Sequence, residues 1–300
     1  MTPLKSNNHT SKKILITGSR GFIGSTISSF FKNRYTLYTP SSAELNLLDD
    51  KQVQTYFQKN PIDIVIHCAV IGGNRDDQYK EHMLKDNLHM FFNIVNCKKY
   101  FSRMINIGSG AVYDKRYDIR QVKESDVYKK VPVDDYGIYK YMCAQYIDTA
   151  IDMVDLRVFG IFGKGEDYKS RFISNIILKH IFDMSIVVNQ NLYFDYIDVH
   201  DFIRIIEHFV HHTSKYHAYN IGTGIRRSLK SIAEDINELF IEKRKIEFKK
   251  IGLGHEYTCD ISRLKDEIPN FKYTPFRKSL QDLIAWYKTQ KDIIKRNDVI

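Results

Sequence analysis

Three hundred residues, 43% of them hydrophobic, suffice for one large α/β domain or two joined lobes and exclude a disordered or fibrous chain. No run approaches the roughly 18 apolar residues of a membrane helix, so a soluble, cytoplasmic protein without membrane contact is expected. The formal charge of +9 is interleaved with 36 acids, which disfavours nucleic acid as a partner and suits attraction of a phosphorylated nucleotide.

The polar residues 1–11 read as a flexible tail. An apolar strand over 13–16 then runs into Thr17-Gly18-Ser19-Arg20-Gly21-Phe22-Ile23-Gly24, followed by a helix to about Phe31 and a second strand over 35–38. Glycines so spaced permit a tight turn and a close approach of backbone to a pyrophosphate, which sits on the N–H groups of the following helix. A dinucleotide site over Gly18 to Gly24 is the expectation, although glycine turns also arise for structural reasons alone. Asp49 and Asp50 stand before a helical stretch carrying Val53, Tyr56 and Phe57, and read as caps. Residues 62–67 form a strand suited to burial on both faces, ending in the small-residue turn from Cys68, Ala69 and Val70 to Gly73.

A helix over 85–98 precedes a strand over 104–107 that delivers Gly108, Ser109 and Gly110 to its carboxyl end, where open α/β sheets hold ligands. Further on, a helix over 136–150, a strand over 153–159 and a helix over 171–181 are expected. Strands over 196–199 and 218–221 flank a helix over 200–211, and the last 75 residues mix helices over 231–240 and 276–288 with loops. Lys243 to Lys245 and Lys249-Lys250 read as the solvated side of a helix and of the strand after it. Cys68, Cys97, Cys143 and Cys259 have no paired spacing and read as reduced core thiols, with neither a disulfide nor a metal site. The fold class is α/β, a doubly wound parallel sheet: residues 12–160 plus about 195–225 form a dinucleotide domain, and about 161–194 plus 226–300 an interleaved α+β substrate lobe.

Tyr136 and Lys140 lie four apart on a helix and share a face, and an ammonium beside a phenol favours the phenolate. With 20 tyrosines in the chain such pairs recur, as at Tyr287 and Lys291, but Tyr136 follows the strand-end Ser109 well downstream of the glycine turn, whereas Tyr287 sits near the C-terminus without such a context. Ser109 also suits a helix cap, and Tyr136 could be one of several packed tyrosines.

This order, with Ser109-Gly110-Ala111-Val112-Tyr113, Leu156-Arg157-Val158-Phe159, Phe194 to Asp201 and Asn220 to Gly224, resembles the extended branch of the short-chain dehydrogenase/reductase superfamily. Glu44 to Asp49 and Val70 to Gly73 resemble segments of the GDP-L-fucose synthase family within it. The resemblance implies hydride transfer to a nucleotide-sugar carbon in deoxysugar biosynthesis. Ser109 would hydrogen-bond the sugar carbonyl, Tyr136 would protonate the alkoxide, and Lys140 would hold the nicotinamide ribose and assist Tyr136. It also places Asn46 and Leu47 against the adenine and adds Cys68, Ala69, Val70 and Ile161 to the cofactor contacts. Homodimers are expected through the helices at about 85–98 and 136–150.

No carboxylate stands at the end of the second strand, Tyr38-Thr39-Pro40-Ser41-Ser42, to hold a ribose 2′-hydroxyl, and Arg20 suits a 2′-phosphate, so NADP(H) is favoured over NAD(H). Where the fucose synthase family carries a cysteine and a histidine for proton exchange at C3 and C5, this chain has Ala111 and Arg171, which implies a 4-ketoreductase without epimerase function. The family's asparagine and arginine near the substrate are here Gly160 and Phe194. Gly110, Gly160, Arg171 and Lys179 are the remaining candidate substrate contacts, the two cations facing the diphosphate. Two alternatives stay open: an epimerase with tightly held NAD, and a non-catalytic NADP sensor.

Overall fold

The computed structural model describes residues 11–73 and 81–299; residues 1–10 of the expected tail lie outside the described residues. Lys13–Thr17 is buried on both faces, Ile14 and Ile16 in one apolar cluster and Leu15 in another, and Ile64–His67 repeats the pattern with Ile64 and Ile66 against Val65. Such strands need helices on both sides. Phe22–Phe31 and Val199–His211 cover the first face through Ile27, Phe31, Phe202 and Phe209. Asp50–Lys59, Met83–Val95 and Asp135–Ile147 cover the second through Phe57, Phe91 and Tyr139.

Six parallel strands form the central sheet in the spatial order Ala218–Ile221, Met153–Val158, Arg103–Ser109, Ile64–His67, Lys13–Thr17, Thr36–Tyr38. The chain leaves Lys13–Thr17 for one edge and returns on its other side at Ile64–His67. The carboxyl ends of these two strands therefore flank a topological switch point, where doubly wound sheets bind ligands. Asp63, the polar exception at the start of that stretch, accepts the Lys13 N–H at 2.8 Å and helps set the register. A third apolar cluster, with Phe162, Ile177, Ile232, Leu283 and Tyr287, lies outside the central sheet.

Several expectations need correction. Helix Met83–Val95 ends before residue 98, because the Cys97 N–H turns to Ile94 O at 2.9 Å and a short turn over Lys98–Tyr100 carries Phe101 into the core. Beyond residue 225, the strand expected to carry Lys249 and Lys250 is Ile246–Leu253, and the chain also forms strand Tyr257–Cys259 and helix Ser262–Glu267 where loops were expected. Those strands pair with Ile186–Asn191 and with Ile119–Val122 and Tyr193–Phe194, partners remote in sequence. Lys243 to Lys245 follow helix Leu229–Glu238 instead of lining it, and Lys243 Nζ donates to the carbonyls of Asn237, Glu238 and Phe240. A lysine there satisfies carbonyls that a helix end leaves unpaired. All four cysteines are free. Among the described residues no helix is long and apolar enough to cross a membrane.

Arg157, with no exposed surface, donates from Nε to Asp155 at 3.0 Å and from Nη1 to Glu124 O at 3.1 Å. Replacing Asp155 by Asn leaves that guanidinium without its nearest counter-charge. Asp155→Asn is expected to destabilise the fold by about 3–5 kcal/mol, read as a lowered urea midpoint.

Candidate active site

The turn after Lys13–Thr17 is shaped by two glycines with little freedom to change. Gly18 has φ +64°, and a Cβ there would lie 2.7 Å from Ala69 Cα, so the turn packs directly on the backbone that follows His67. A Cβ on Gly24 would collide with Gly18 O, so helix Phe22–Phe31 starts against the turn. Among the described residues no side chain caps this helix, and its first turn carries no acid. Its N–H groups and positive dipole end are left for an anion, which fits a dinucleotide pyrophosphate. Ser19 is buried with Oγ on Thr39 O at 3.3 Å, Arg20 is exposed, and Phe22 and Ile23 are half-buried against the core.

Beside the glycine turn lies the segment after Thr36–Tyr38, where the resemblance expects the adenosine. Ser41 and Glu44 bond reciprocally, the Ser41 N–H and hydroxyl both reaching Glu44 Oε2 at 2.7 Å. Those bonds, with a smaller contribution from Arg20, hold the Glu44 carboxyl below its ordinary range. The strand-end pattern gives no sign of this carboxylate. Asn46 is exposed and Leu47 buried, with Leu47 O accepting from Asn93 Nδ2 at 2.9 Å. Asp49 is the cap expected, accepting from the Gln52 N–H at 3.0 Å.

Across the switch point, Thr17 Oγ1 lies 2.8 Å from His67 Nδ1 and accepts from the Ala69 N–H at 3.3 Å. Burial pushes the Cys68 thiol up to about 12, so it stays neutral, while Val70 is exposed. Gly73 stands beside Tyr136, where a Cβ would be 3.4 Å from the Tyr136 ring.

Helix Asp135–Ile147 starts at Asp134, whose side chain accepts from the Gly137 N–H at 2.9 Å, and presents Tyr136 and Lys140 to the carboxyl end of the sheet. Lys140 is buried, its Nζ donating to Ile107 O at 2.7 Å and lying 5.7 Å from the Tyr136 ring centroid. One of three ammonium donors is thus used to anchor it to the strand that ends in Ser109. Ser109 Oγ accepts from the Ala111 N–H at 3.1 Å, so the capping reading and a place in the cleft hold together. Lys115, missed in the sequence, brings a second ammonium to 5.8 Å from the Tyr136 ring centroid. Ala111 is buried.

Arg171 caps helix Phe172–Ile181 by position and reaches Gly73 O at 3.4 Å, which ties it to the Tyr136 side of the cleft. Behind it, burial pushes the Glu166 carboxyl up to about 8, against the hydroxyl of Ser174 that bonds it. A neutral carboxyl there does not oppose an anionic ligand. Lys179 is buried in the last turn of the same helix, and burial together with Lys249 lowers its ammonium from its ordinary value. Gly160 is buried where a Cβ would meet Asp195 O at 2.6 Å, so that strand admits no side chain in place of the family's asparagine. Phe194 stacks on Tyr196 with ring centroids 5.3 Å apart, and Ile161 is half-buried at the core edge.

A doubly wound sheet with a glycine turn at its switch point is the architecture of the short-chain dehydrogenases/reductases, and Ser109, Tyr136 and Lys140 stand at adjoining strand and helix ends on its ligand side. The sequence pattern of the NAD dependent epimerase/dehydratase family matches residues 14–222, and the chain belongs to that family, the extended branch of the class. It is 34% identical over 113 residues to GDP-L-colitose synthase from Yersinia pseudotuberculosis, covering 35% of this chain and 36% of that one. It is 28% identical over 175 residues to GDP-L-fucose synthase from Azorhizobium caulinodans, covering 53% and 55%. These alignments therefore span about a third and about half of the two relatives. The solved structure of a GDP-L-fucose synthetase from Naegleria fowleri bound to NADP superposes with TM-score 0.80 at 18% identity over 94% of each chain, a likeness of fold.

His67 offers a test of how dry the switch point is. It is fully buried and burial lowers its imidazole from 6.5 to about 3, with Lys140 adding to the shift. The unfolded chain binds a proton there below about 6.5 that the folded chain refuses. Stability is therefore unaffected by this group above that pH and falls as pH drops toward 3. Between about pH 7 and pH 5 the wild-type chain is expected to lose about 2 kcal/mol more than His67→Gln, measured by urea unfolding at both pH values.

Proposed function

We propose that this chain is an NADPH-dependent reductase of the 4-keto group of a nucleotide-diphosphate 4-keto-6-deoxy sugar. The observation that carries the reading is the convergence of Ser109, Tyr136 and the strand-anchored Lys140 on the ligand end of the sheet, opposite an uncapped glycine turn. Bound at Gly18 to Gly24, NADPH supplies the hydride. Ser109 holds the carbonyl oxygen by a hydrogen bond and Tyr136 gives the developing alkoxide its proton, a positioned general acid. Lys140, with donors remaining beyond its bond to Ile107 O, holds the nicotinamide ribose.

The buried Ala111 and the guanidinium of Arg171 provide no proton-exchanging pair beside that centre, which supports reduction without epimerisation. Arg171 and Lys179, at opposite ends of one helix, are assigned to the diphosphate, joined by Lys249. Gly110 contributes backbone to the sugar pocket, and Gly160 contributes backbone alone, since Asp195 O and the Tyr196 ring occupy the space of a side chain there. The division into a dinucleotide domain and an interleaved substrate lobe is retained in this reading. The homodimer would pair helices Met83–Val95 and Asp135–Ile147, which pack on each other and expose Met142 and Tyr146.

The test is NADPH oxidation, followed by absorbance, with freshly generated GDP- and CDP-4-keto-6-deoxy sugars. Tyr136→Phe is expected to lower kcat by about 10²–10⁴-fold with NADPH binding retained. Oxidation absent from a wild-type chain that binds NADPH would sink the reductase reading and favour the epimerase.

The cofactor preference rests on Arg20. A guanidinium on the 2′-phosphate contributes a charge-assisted bond that NADH cannot make. Arg20→Ala is expected to raise KM for NADPH about tenfold or more while leaving KM for NADH nearly unchanged, and equal effects on both would refute the assignment.

A further inference from the structure

Tyr113, buried, fixes the segment that follows Ser109 by donating from its hydroxyl to Asn220 Oδ1 at 2.8 Å. The chain then turns through Asp114 to Tyr117, the Tyr117 N–H reaching Asp114 O at 3.2 Å. Asp114 is buried, and its carboxylate accepts the Arg116 N–H at 3.0 Å, Arg116 Nε at 3.0 Å and Arg116 Nη2 at 2.7 Å. The one acid of this turn is thus taken up by Arg116. Lys115, the residue between them, is exposed and among the described residues has no carboxylate partner. Its Nζ lies 5.8 Å from the Tyr136 ring centroid, against 5.7 Å for Lys140. A cation at that range is attracted by the ring, which holds the Lys115 side chain toward the cleft.

We propose that Lys115 is a second cationic residue of the reaction centre, its ammonium stabilising the negative charge that reduction leaves on Tyr136. As hydride reaches the carbonyl carbon, the phenol O–H bond breaks and a sugar O–H bond forms. The electron pair left behind makes Tyr136 a phenolate, which solvent reprotonates after the product leaves. Charge that appears there is attracted to both ammonium groups, and the attraction is absent before the proton moves, so it lowers the barrier instead of tightening substrate binding. The two lysines differ in setting. Lys140 is buried and anchored to Ile107 O at 2.7 Å, whereas Lys115 stands in solvent on its turn. Dissolved salt screens exposed charges far more than buried ones, so the share of the stabilisation that comes from Lys115 is the share that salt removes.

This role rests on the ketoreductase reading. The experiment follows single-turnover reduction of saturating GDP-4-keto-6-deoxymannose by NADPH in wild type, Lys115→Met and Lys115→Arg, at low and at high sodium chloride. Lys115→Met is expected to slow the hydride step about fivefold at low salt with little change in KM or NADPH affinity, and Lys115→Arg to keep most of the wild-type rate. High salt is expected to bring the wild type down toward Lys115→Met and to leave that variant nearly unchanged. Thermal unfolding checks the fold of each variant. A Lys115→Met rate equal to wild type, a loss confined to KM, a loss that arginine does not restore, or a salt dependence that survives in Lys115→Met would overturn the role while leaving the reductase intact. A wild-type chain that binds NADPH yet reduces no keto sugar would remove the ketoreductase reading and this role with it.

Discussion

The guanidinium of Arg157 has no contact with water, and the geometry of the strand end at Ser109 depends on how it is neutralised. Asp155 pairs with it and also accepts from Asn106 Nδ2 at 2.7 Å, which links strands Met153–Val158 and Arg103–Ser109 through their side chains. Asp155 fills the space above Gly108, so no larger residue fits immediately before Ser109. Glu124, whose carbonyl accepts from Arg157, uses its carboxylate for the Asn220 N–H at 2.7 Å and faces Arg263 at 3.8 Å. The network thus joins the sheet to helix Ser262–Glu267. Buried ion pairs are costly to desolvate and add little net stability, but an orphaned member is severely destabilising. Such a network penalises any register in which the partners do not meet.

A second pattern concerns charge around the cleft. Lys115 and Lys140 lie near Tyr136, Arg171 reaches the Gly73 loop, and Lys179 and Lys249 oppose each other farther along the same lobe. Like charges at close quarters repel, which is unfavourable without an anion between them. Glu166, a carboxyl within the electrostatic reach of Arg171, is held protonated near neutrality by burial. The electrostatic asymmetry suits a ligand carrying several phosphates, and it is local: the overall charge of +9 by itself carries no such direction.

Much of the core sheet was legible because its signals are local. Hydrophobic runs at 13–16 and 62–67, the glycines between Gly18 and Gly24, the Asp49 cap and the four-residue spacing of Tyr136 and Lys140 each depend on a few neighbouring residues. Of the C-terminal strands, only the one carrying Lys249 and Lys250 was legible, without its bounds or its partner. Ile246–Leu253 is largely exposed, keeps the alternation of a half-buried strand only as far as Phe248, and holds its conformation through pairing with Ile186–Asn191. Glu44 was missed for a related reason: it lies beyond the strand end where an acid was sought, and the Ser41 turn brings it back.

The amino-acid sequence by itself determined the glycine turn, the succession of strands and helices that build the central sheet, and the placing of Ser109, Tyr136 and Lys140 on elements that end at the ligand side. Backbone freedom at glycine and the periods of helix and strand act over short stretches, so such features can be read from the chain. Only the tertiary structure decided that Tyr257 would pack against Gly110, that Lys249 would lower the Lys179 ammonium, and that Arg157 would be neutralised by Asp155 and Glu124 O. Apart from Asp155, those partners stand far off in sequence, and sheet pairing and burial, which no local pattern encodes, brought them together.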